Sequence, residues 1–162
     1  MKRLLAVLAI PVAIMVAGLG LAGTASADTG PIQPWGTVLT GSGGGQIELT
    51  GLRSGPNLTV FELTFTPGDQ ALSGSNIFTP TLTYGPTGTV AAVDYSDVST
   101  GILFSGTVPP HGHATLDFAY KVPLAALNPA TLTVDVGFQD FTWTGNLADQ
   151  WSAPAPRSPF GS

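Results

Sequence analysis

The chain has 162 residues, no cysteine and a formal net charge of −5, and only 9% of its residues are charged. The absence of cysteine excludes disulfides and thiol chemistry, and the acidic balance argues against binding to nucleic acid or to anionic membrane headgroups. Abundant Gly and Pro beside plentiful apolar residues favour an all-β domain with many tight turns.

The first 27 residues have the pattern of a cleavable signal peptide. Lys2 and Arg3 form a basic start, and an apolar run follows from Leu4 to Ala22. Ala25-Ser26-Ala27 is the small-x-small pattern that signal peptidase cleaves. A membrane anchor is the alternative, since the run has about the length of a bilayer span. The switch to polar Asp28-Thr29-Gly30 favours cleavage after Ala27 and hence a secreted, extracellular protein.

Cleavage after Ala27 would leave 135 of the 162 residues, enough for one domain with its own core. Three basic residues, Arg53, Lys121 and Arg157, then face ten acidic ones, which gives a net charge of −7. We expect the domain to span residues 28–151. Residues 152–162 are rich in proline and are expected to form a disordered tail.

Alternation of apolar and polar residues recurs along the mature chain with turn residues between the runs, which predicts about seven to nine short strands. A phase slip in Leu58–Thr66 predicts a bulge near Val60. The predicted strands are 35–39, 46–52, 58–66, 77–84, 89–95, 102–108, 113–122 and 131–138, with Phe141 and Trp143 extending the last one. Leu124–Leu127 is the one stretch resembling a helical turn. Half-buried strands of this number predict an immunoglobulin-like antiparallel β-sandwich.

His111 and His113 are the only histidines, and they occupy a turn that enters a strand. In extended backbone they would point to the same side as Asp117, and imidazole with carboxylate can bind zinc or copper. These three residues are therefore the candidate metal ligands. A solvated hairpin turn explains the same residues without a metal.

Other patterns give little support for catalysis. Asp94 and Asp97 are a candidate calcium or carboxylate pair, although an acidic loop explains them equally well. Gly41–Gly45 lacks the lysine and the spacing of phosphate-binding loops and is predicted to be a flexible hairpin loop. No G-x-S-x-G elbow occurs. We therefore expect no enzymatic activity and no cofactor.

The tryptophans offer a further route to binding, because exposed tryptophans on a β-sandwich can stack on sugar rings. Trp143 shares its phase with Phe141 and is expected in the core, while Trp151, beside the proline-rich tail, is a candidate for exposure.

The C-terminal half resembles a known group of proteins. The run Gly106–Gly112 ends in Pro109-Pro110-His111-Gly112, the alternating strand Ala114–Val122 follows it, and Val136–Asp140 leads into Trp143. This layout resembles the small secreted immunogenic proteins of mycobacteria. The resemblance implies an actinobacterial source, an immunoglobulin-like fold and an antigenic or recognition role, without an enzymatic activity, a cofactor or a named partner.

The sequence therefore predicts a secreted, non-enzymatic β-sandwich that binds a protein or an envelope component. The partner is expected to be neither nucleic acid nor, after signal cleavage, a membrane. An exported protein that binds a small ligand or a metal through His111 and His113 is the alternative.

Overall fold

The computed structural model describes residues 28–96, 105–137 and 139–151, which form an all-β fold with three sheets. The predicted signal peptide, the tail 152–162, Asp97 and Phe138 lie outside the described residues. The strands are β1 (Asp28–Pro34), β2 (Leu39–Thr40), β3 (Gln46–Gly55), β4 (Leu58–Thr66), β5 (Leu72–Ser73), β6 (Thr81–Tyr84), β7 (Thr89–Val90), β8 (Thr107–Val108), β9 (Ala114–Tyr120), β10 (Ala130–Val136) and β11 (Gln139–Gly145). A four-residue helix, α1 (Leu147–Gln150), follows β11.

The first sheet has five strands in the order β1-β11-β10-β6-β7. Strands β10 and β11 form a hairpin, and β6 pairs antiparallel with the first half of β10. Strand β1 runs parallel to β11, with Ile32 opposite Thr142. The purely antiparallel arrangement predicted from the sequence is therefore wrong for this one pair.

The second sheet has four antiparallel strands in the order β2-β3-β4-β9. Its register shifts between Leu49 and Gly51, so the bulge lies at Thr50 in β3. The phase slip in β4 predicted a bulge near Val60 instead. Val60 keeps its regular pairing with Arg53 and Ala119, and it is buried on the face opposite to Phe61 and Leu63.

A third, two-stranded sheet pairs β5 with β8, and a short 3₁₀ turn, Gly74–Asn76, follows β5. The helical stretch predicted near Leu124 is confirmed as a 3₁₀ turn, Leu124–Ala126. Among the described residues no helix is long and apolar enough to cross a membrane.

Buried side chains from both large sheets belong to one hydrophobic cluster. The second sheet contributes Phe61, Leu63 and Phe65, among others, and the first sheet contributes Leu132 and Trp143. Trp35 lies between them, since its ring stacks on Phe61 at a centroid distance of 6.0 Å and on Trp143 at 6.4 Å. The inward faces of the two sheets thus share one core.

Four predicted strands differ from those observed. The predicted strand 77–84 is reduced to β6 and an isolated bridge from Ile77 to Val136. Of the predicted strand 102–108, only β8 is a strand among the described residues. Residues 35–38 form a turn, with Gly36 at a φ of 81°, and strands flank them on both sides. The predicted strand 89–95 is reduced to β7 and an isolated bridge from Val93 to Tyr120.

Candidate functional site

The turn that carries the two histidines has a different geometry from the one predicted. His111 adopts a left-handed backbone with a φ of 58°, and Gly112 closes the turn by donating its N–H to the carbonyl of Pro109 at 2.9 Å. His113 directly precedes β9, which begins at Ala114. Because alternation requires extended backbone, it does not run from His113 back to His111.

The remaining candidate ligand, Asp117, lies in the middle of β9 and accepts a hydrogen bond from Arg53 at 2.6 Å. The nearest acidic partner of His111 is Asp69, with Nε2 and Oδ1 3.4 Å apart at two exposed side chains. Within residues 28–96, 105–137 and 139–151, no three histidine or acidic side chains form a group that could hold a metal ion. His111, His113 and Asp117 are therefore not brought together in the way the extended-backbone argument assumed.

Asp94 is part of a local turn. It accepts hydrogen bonds from the hydroxyl of Ser96 at 2.6 Å and from the Ser96 backbone N–H at 3.1 Å. These bonds, the hydroxyl first and the N–H second, hold the pKa of Asp94 below its ordinary value, and the nearby Lys121 acts in the same direction. The turn accounts for this carboxylate without a ligand.

The outward face of the first sheet carries a regular array of threonines, here called the threonine face. Its rows follow from the register, because residues directly opposite each other on neighbouring strands share a face. It consists of Thr81, Thr83, Thr131, Thr133, Thr142 and Thr144.

The array has two rows across three neighbouring strands, β6, β10 and β11. One row is Thr83, Thr131 and Thr144, and the other is Thr81, Thr133 and Thr142. Ideal sheet dimensions separate neighbouring strands by about 4.8 Å and same-face residues on one strand by about 6.7 Å. The hydroxyl groups are therefore closely and regularly spaced.

Hydrogen bonds order these hydroxyl groups. Thr131 and Thr144 lie 2.8 Å apart at their Oγ1 atoms, and Thr133 and Thr142 lie 3.3 Å apart. A hydroxyl group has one donor and two acceptor positions, so each of these pairs keeps capacity for an outside partner. Their side chains are half-buried, and the Thr81 side chain is exposed.

Exposed apolar side chains border the threonine face. Ile32 pairs with Thr142 at the β1 edge and is 69% exposed. Val90 pairs with Thr83 at the β7 edge and is 67% exposed. From β1 to β7 the sheet spans four strand spacings, which is about 19 Å. A hydroxyl-bearing centre with apolar margins suits a partner that has both polar and apolar surface.

A pair of carboxylates lies at one end of the same face. Asp135 is directly opposite Asp140, one register step beyond Thr133 and Thr142. Oδ1 of Asp135 is buried and has no hydrogen-bond partner among the described residues. Burial, and secondarily the Asp140 carboxylate, raise the pKa of Asp135. The six residues of the threonine face themselves carry no charge.

The outward face of the second sheet provides a contrast. Thr50, Thr64 and Thr115 form a hydrogen-bonded row there, with Oγ1 distances of 3.1 and 2.9 Å. Charged side chains surround this row, namely Glu48, Arg53, Glu62 and Asp117. The two outward faces therefore differ in charge although both contain threonine.

The sequence pattern predicts that Thr133 lies on the solvent side of its strand but does not reveal the threonine face. The alternation of β10 contains that signal, and the complementary alternation of Thr142 and Thr144 was available as well. The threonine face also depends on the pairing of β6 with β10, which joins segments about 50 residues apart and does not follow from local alternation.

A comparison of the chain with protein families, curated proteins and solved structures found no match. Function is therefore inferred from the residues and their geometry.

Proposed function

We propose that this protein is exported, cleaved after Ala27, and acts outside the cell as a non-enzymatic binding module. Its fold would be an immunoglobulin-like β-sandwich, supported by two large sheets that share one core. Its threonine face would bind an uncharged polysaccharide of the cell envelope. The resemblance to small secreted immunogenic proteins of mycobacteria agrees with export and with an antigenic role.

The observation that carries this proposal is the uncharged, hydrogen-bonded threonine array in an acidic protein. Sugar hydroxyl groups offer donors and acceptors together, which matches threonine hydroxyl groups. The threonine methyl groups, with Ile32 and Val90 at the margins, can contact the C–H faces of sugar rings. The net charge of −7 expected after cleavage disfavours a polyanionic partner.

A protein partner fits this face less well. Protein–protein contacts depend on buried aromatic and arginine anchors. The threonine face has none at its centre, and Trp35 and Trp143, which could have stacked on sugars, are buried in the core. With no central aromatic side chain, affinity for a single sugar would be low, and binding would depend on many hydroxyl contacts along a polymer.

Sedimentation of the mature chain with an insoluble neutral glucan and with delipidated envelope polysaccharide tests the proposal. Thr142→Lys places a long charged side chain within the threonine face, between Ile32 and Thr133. We expect the variant to bind at least tenfold more weakly. Retained binding by this variant would contradict the proposal.

Thr64→Lys is the matched control. Thr64 is also a half-buried threonine in the middle of an outward face and is also hydrogen-bonded across strands, to Thr115. It should bind as the unmodified chain does. If both variants lose binding equally, the effect comes from charge or stability and the threonine face is not the contact surface.

Export is tested separately. N-terminal sequencing of the protein recovered from culture medium should begin at Asp28. A product that retains residues 1–27 and stays with the membrane would support the anchor alternative.

A further inference from the structure

A pocket lies between the two large sheets, at the end where β2 turns into β3. Its apolar walls come from Ile47 and Phe65 of the second sheet, Val136 and Phe141 of the first sheet, and Leu72 of the small sheet. Its volume is about 290 Å³. This is close to the lower end of the range for small-molecule sites, roughly 300 Å³.

The loop Gly41–Gly45 forms one side of the pocket mouth, and two backbone hydrogen bonds lie within it. Gly41 donates its N–H to the carbonyl of Gly45 at 2.8 Å, and Gly44 donates to the carbonyl of Gly41 at 3.0 Å. A Cβ at Gly68 would collide with the Gly43 carbonyl oxygen, so the two loops meet backbone to backbone.

The same loop positions one polar side chain at the mouth. A Cβ on Gly41 would lie 2.5 Å from Oε1 of Gln139 and 3.0 Å from Cζ of Phe141. The absence of that Cβ lets the Gln139 amide and the Phe141 ring pack directly against the loop backbone. Glycine at this position therefore shapes the wall of the pocket.

The polar side chains at the pocket are three amides and the hydroxyl of Thr66. Gln46, Gln70 and Gln139 line it together with the apolar walls, and none of the described residues that line it is charged. An ionised ligand would enter without a counter-charge, which is costly in a partly desolvated site. An amide can donate to and accept from a neutral polar group.

We propose that this pocket binds a small uncharged amphiphile, an alcohol or amide with a short apolar tail. The tail would contact Phe65, Leu72 and Phe141, and the polar end would hydrogen-bond to the glutamine amides at the mouth. The volume equals that of about ten water molecules, so it fits a ligand of roughly ten non-hydrogen atoms. The proposal is independent of the threonine face, because the pocket uses the inward side of the first sheet.

Titration of the labelled mature chain with 1-octanol, followed by NMR, tests this. We expect saturable shifts confined to Ala71, Leu72 and the side-chain amides of Gln70 and Gln139. Octylammonium has the same eight-carbon tail with a charged end, and octanoate has a charged end on a tail one carbon shorter. Both should bind at least tenfold more weakly. Equal binding of all three probes, or shifts spread over the surface, would overturn the proposal.

Two variants localise the binding. Val136→Phe fills the pocket from the first sheet and should abolish the saturable shifts. Gln139→Leu removes the amide, shortens the side chain by one atom and should weaken octanol binding at least fivefold. Gln150→Leu, in α1 outside the pocket, is the control and should bind octanol normally. If Val136→Phe does not fold, the octanol affinities of Gln139→Leu and Gln150→Leu are compared instead. Equal affinities in those two variants would contradict the proposal.

Discussion

The indole rings of Trp35 and Trp143 are nearly parallel, with an interplanar angle of 8° and centroids 6.4 Å apart. Each ring also donates its N–H to a backbone carbonyl beside the other: Trp143 to Thr37 at 2.7 Å, and Trp35 to Gly145 at 3.3 Å. This reciprocal pair ties the turn at residues 35–38 to strand β11. Because Trp35 also stacks on Phe61, the pair links the two large sheets.

Trp143→Phe is expected to lower the free energy of unfolding by about 3 kcal/mol. The change removes a buried hydrogen bond, leaves the Thr37 carbonyl without its partner and opens a cavity under Trp35. Urea denaturation measures the effect. Trp151→Phe, at a half-buried ring outside the pair, is the control and should lose clearly less. Equal losses would show that the reciprocal pair adds no special stability.

Tyr120→Phe tests a second buried polar contact. The Tyr120 side chain is buried, and its hydroxyl donates to the Pro80 carbonyl at 2.6 Å. Burial raises the pKa of this phenol, so the hydroxyl remains protonated and a hydrogen-bond donor at neutral pH. We expect a loss of about 2 kcal/mol, since the carbonyl is left unsatisfied. Tyr95→Phe changes a 66% exposed ring and should leave the melting temperature unchanged.

Gly68→Ala should destabilise the protein, whereas Gly43→Ala should be tolerated. A Cβ at Gly68 meets the Gly43 carbonyl and lies 2.9 Å from the Gly45 nitrogen, so backbone has to move. A Cβ at Gly43 meets nothing within 4 Å. Thermal melts of the two variants provide the measurement. Similar melting temperatures for both would mean that the loops separate easily.

Asp135→Asn should stabilise the protein at neutral pH and flatten its pH dependence. The pKa of Asp135 is raised above 3.8 by burial and by Asp140, so the folded chain binds a proton more tightly than the unfolded chain. This group therefore favours the folded state less as pH rises from 3.8 through the raised pKa. Removing the repulsion between the two directly opposed carboxylates should raise the free energy of unfolding by on the order of 0.5 kcal/mol at pH 7.

Urea midpoints between pH 4 and 7 measure this effect. Asp69→Asn, at a side chain that is 90% exposed, is the control and should follow the unmodified chain. A parallel pH dependence in Asp135→Asn and the unmodified chain would show that Asp135 does not contribute it.

Much of the strand pattern could be predicted because local alternation decides it. In the predicted strand 113–122, alternation places Leu116, Phe118 and Tyr120 on one face, and all three are buried. The same holds for Leu132 and Val134 in the predicted strand 131–138. The core position expected for Trp143 is also confirmed. At these positions the burial follows the period of the sequence.

Features that depend on non-local pairing were missed. The alternation of residues 113–122 predicts a solvent-facing position for Ala119, but its side chain is fully buried. The backbone of residues 92–94 runs along this edge of β9, where Asp94 donates its N–H to the Ala119 carbonyl at 2.8 Å. Strand β1 was not predicted because Gly30, Pro31 and Pro34 interrupt the alternation of apolar and polar residues in this segment. The left-handed backbone at His111 likewise could not be read from residue spacing.

The central claim is that the threonine face contacts a neutral polysaccharide, and mapping by NMR tests it most directly. Soluble fragments of the envelope polysaccharide would be titrated into the labelled mature chain. We predict shifts clustered at Thr131, Thr133, Thr142 and Thr144, with Thr64 and Thr115 on the other outward face unchanged. Shifts confined to the loops or to the second sheet, or no shifts with fragments long enough to span the sheet, would contradict the claim.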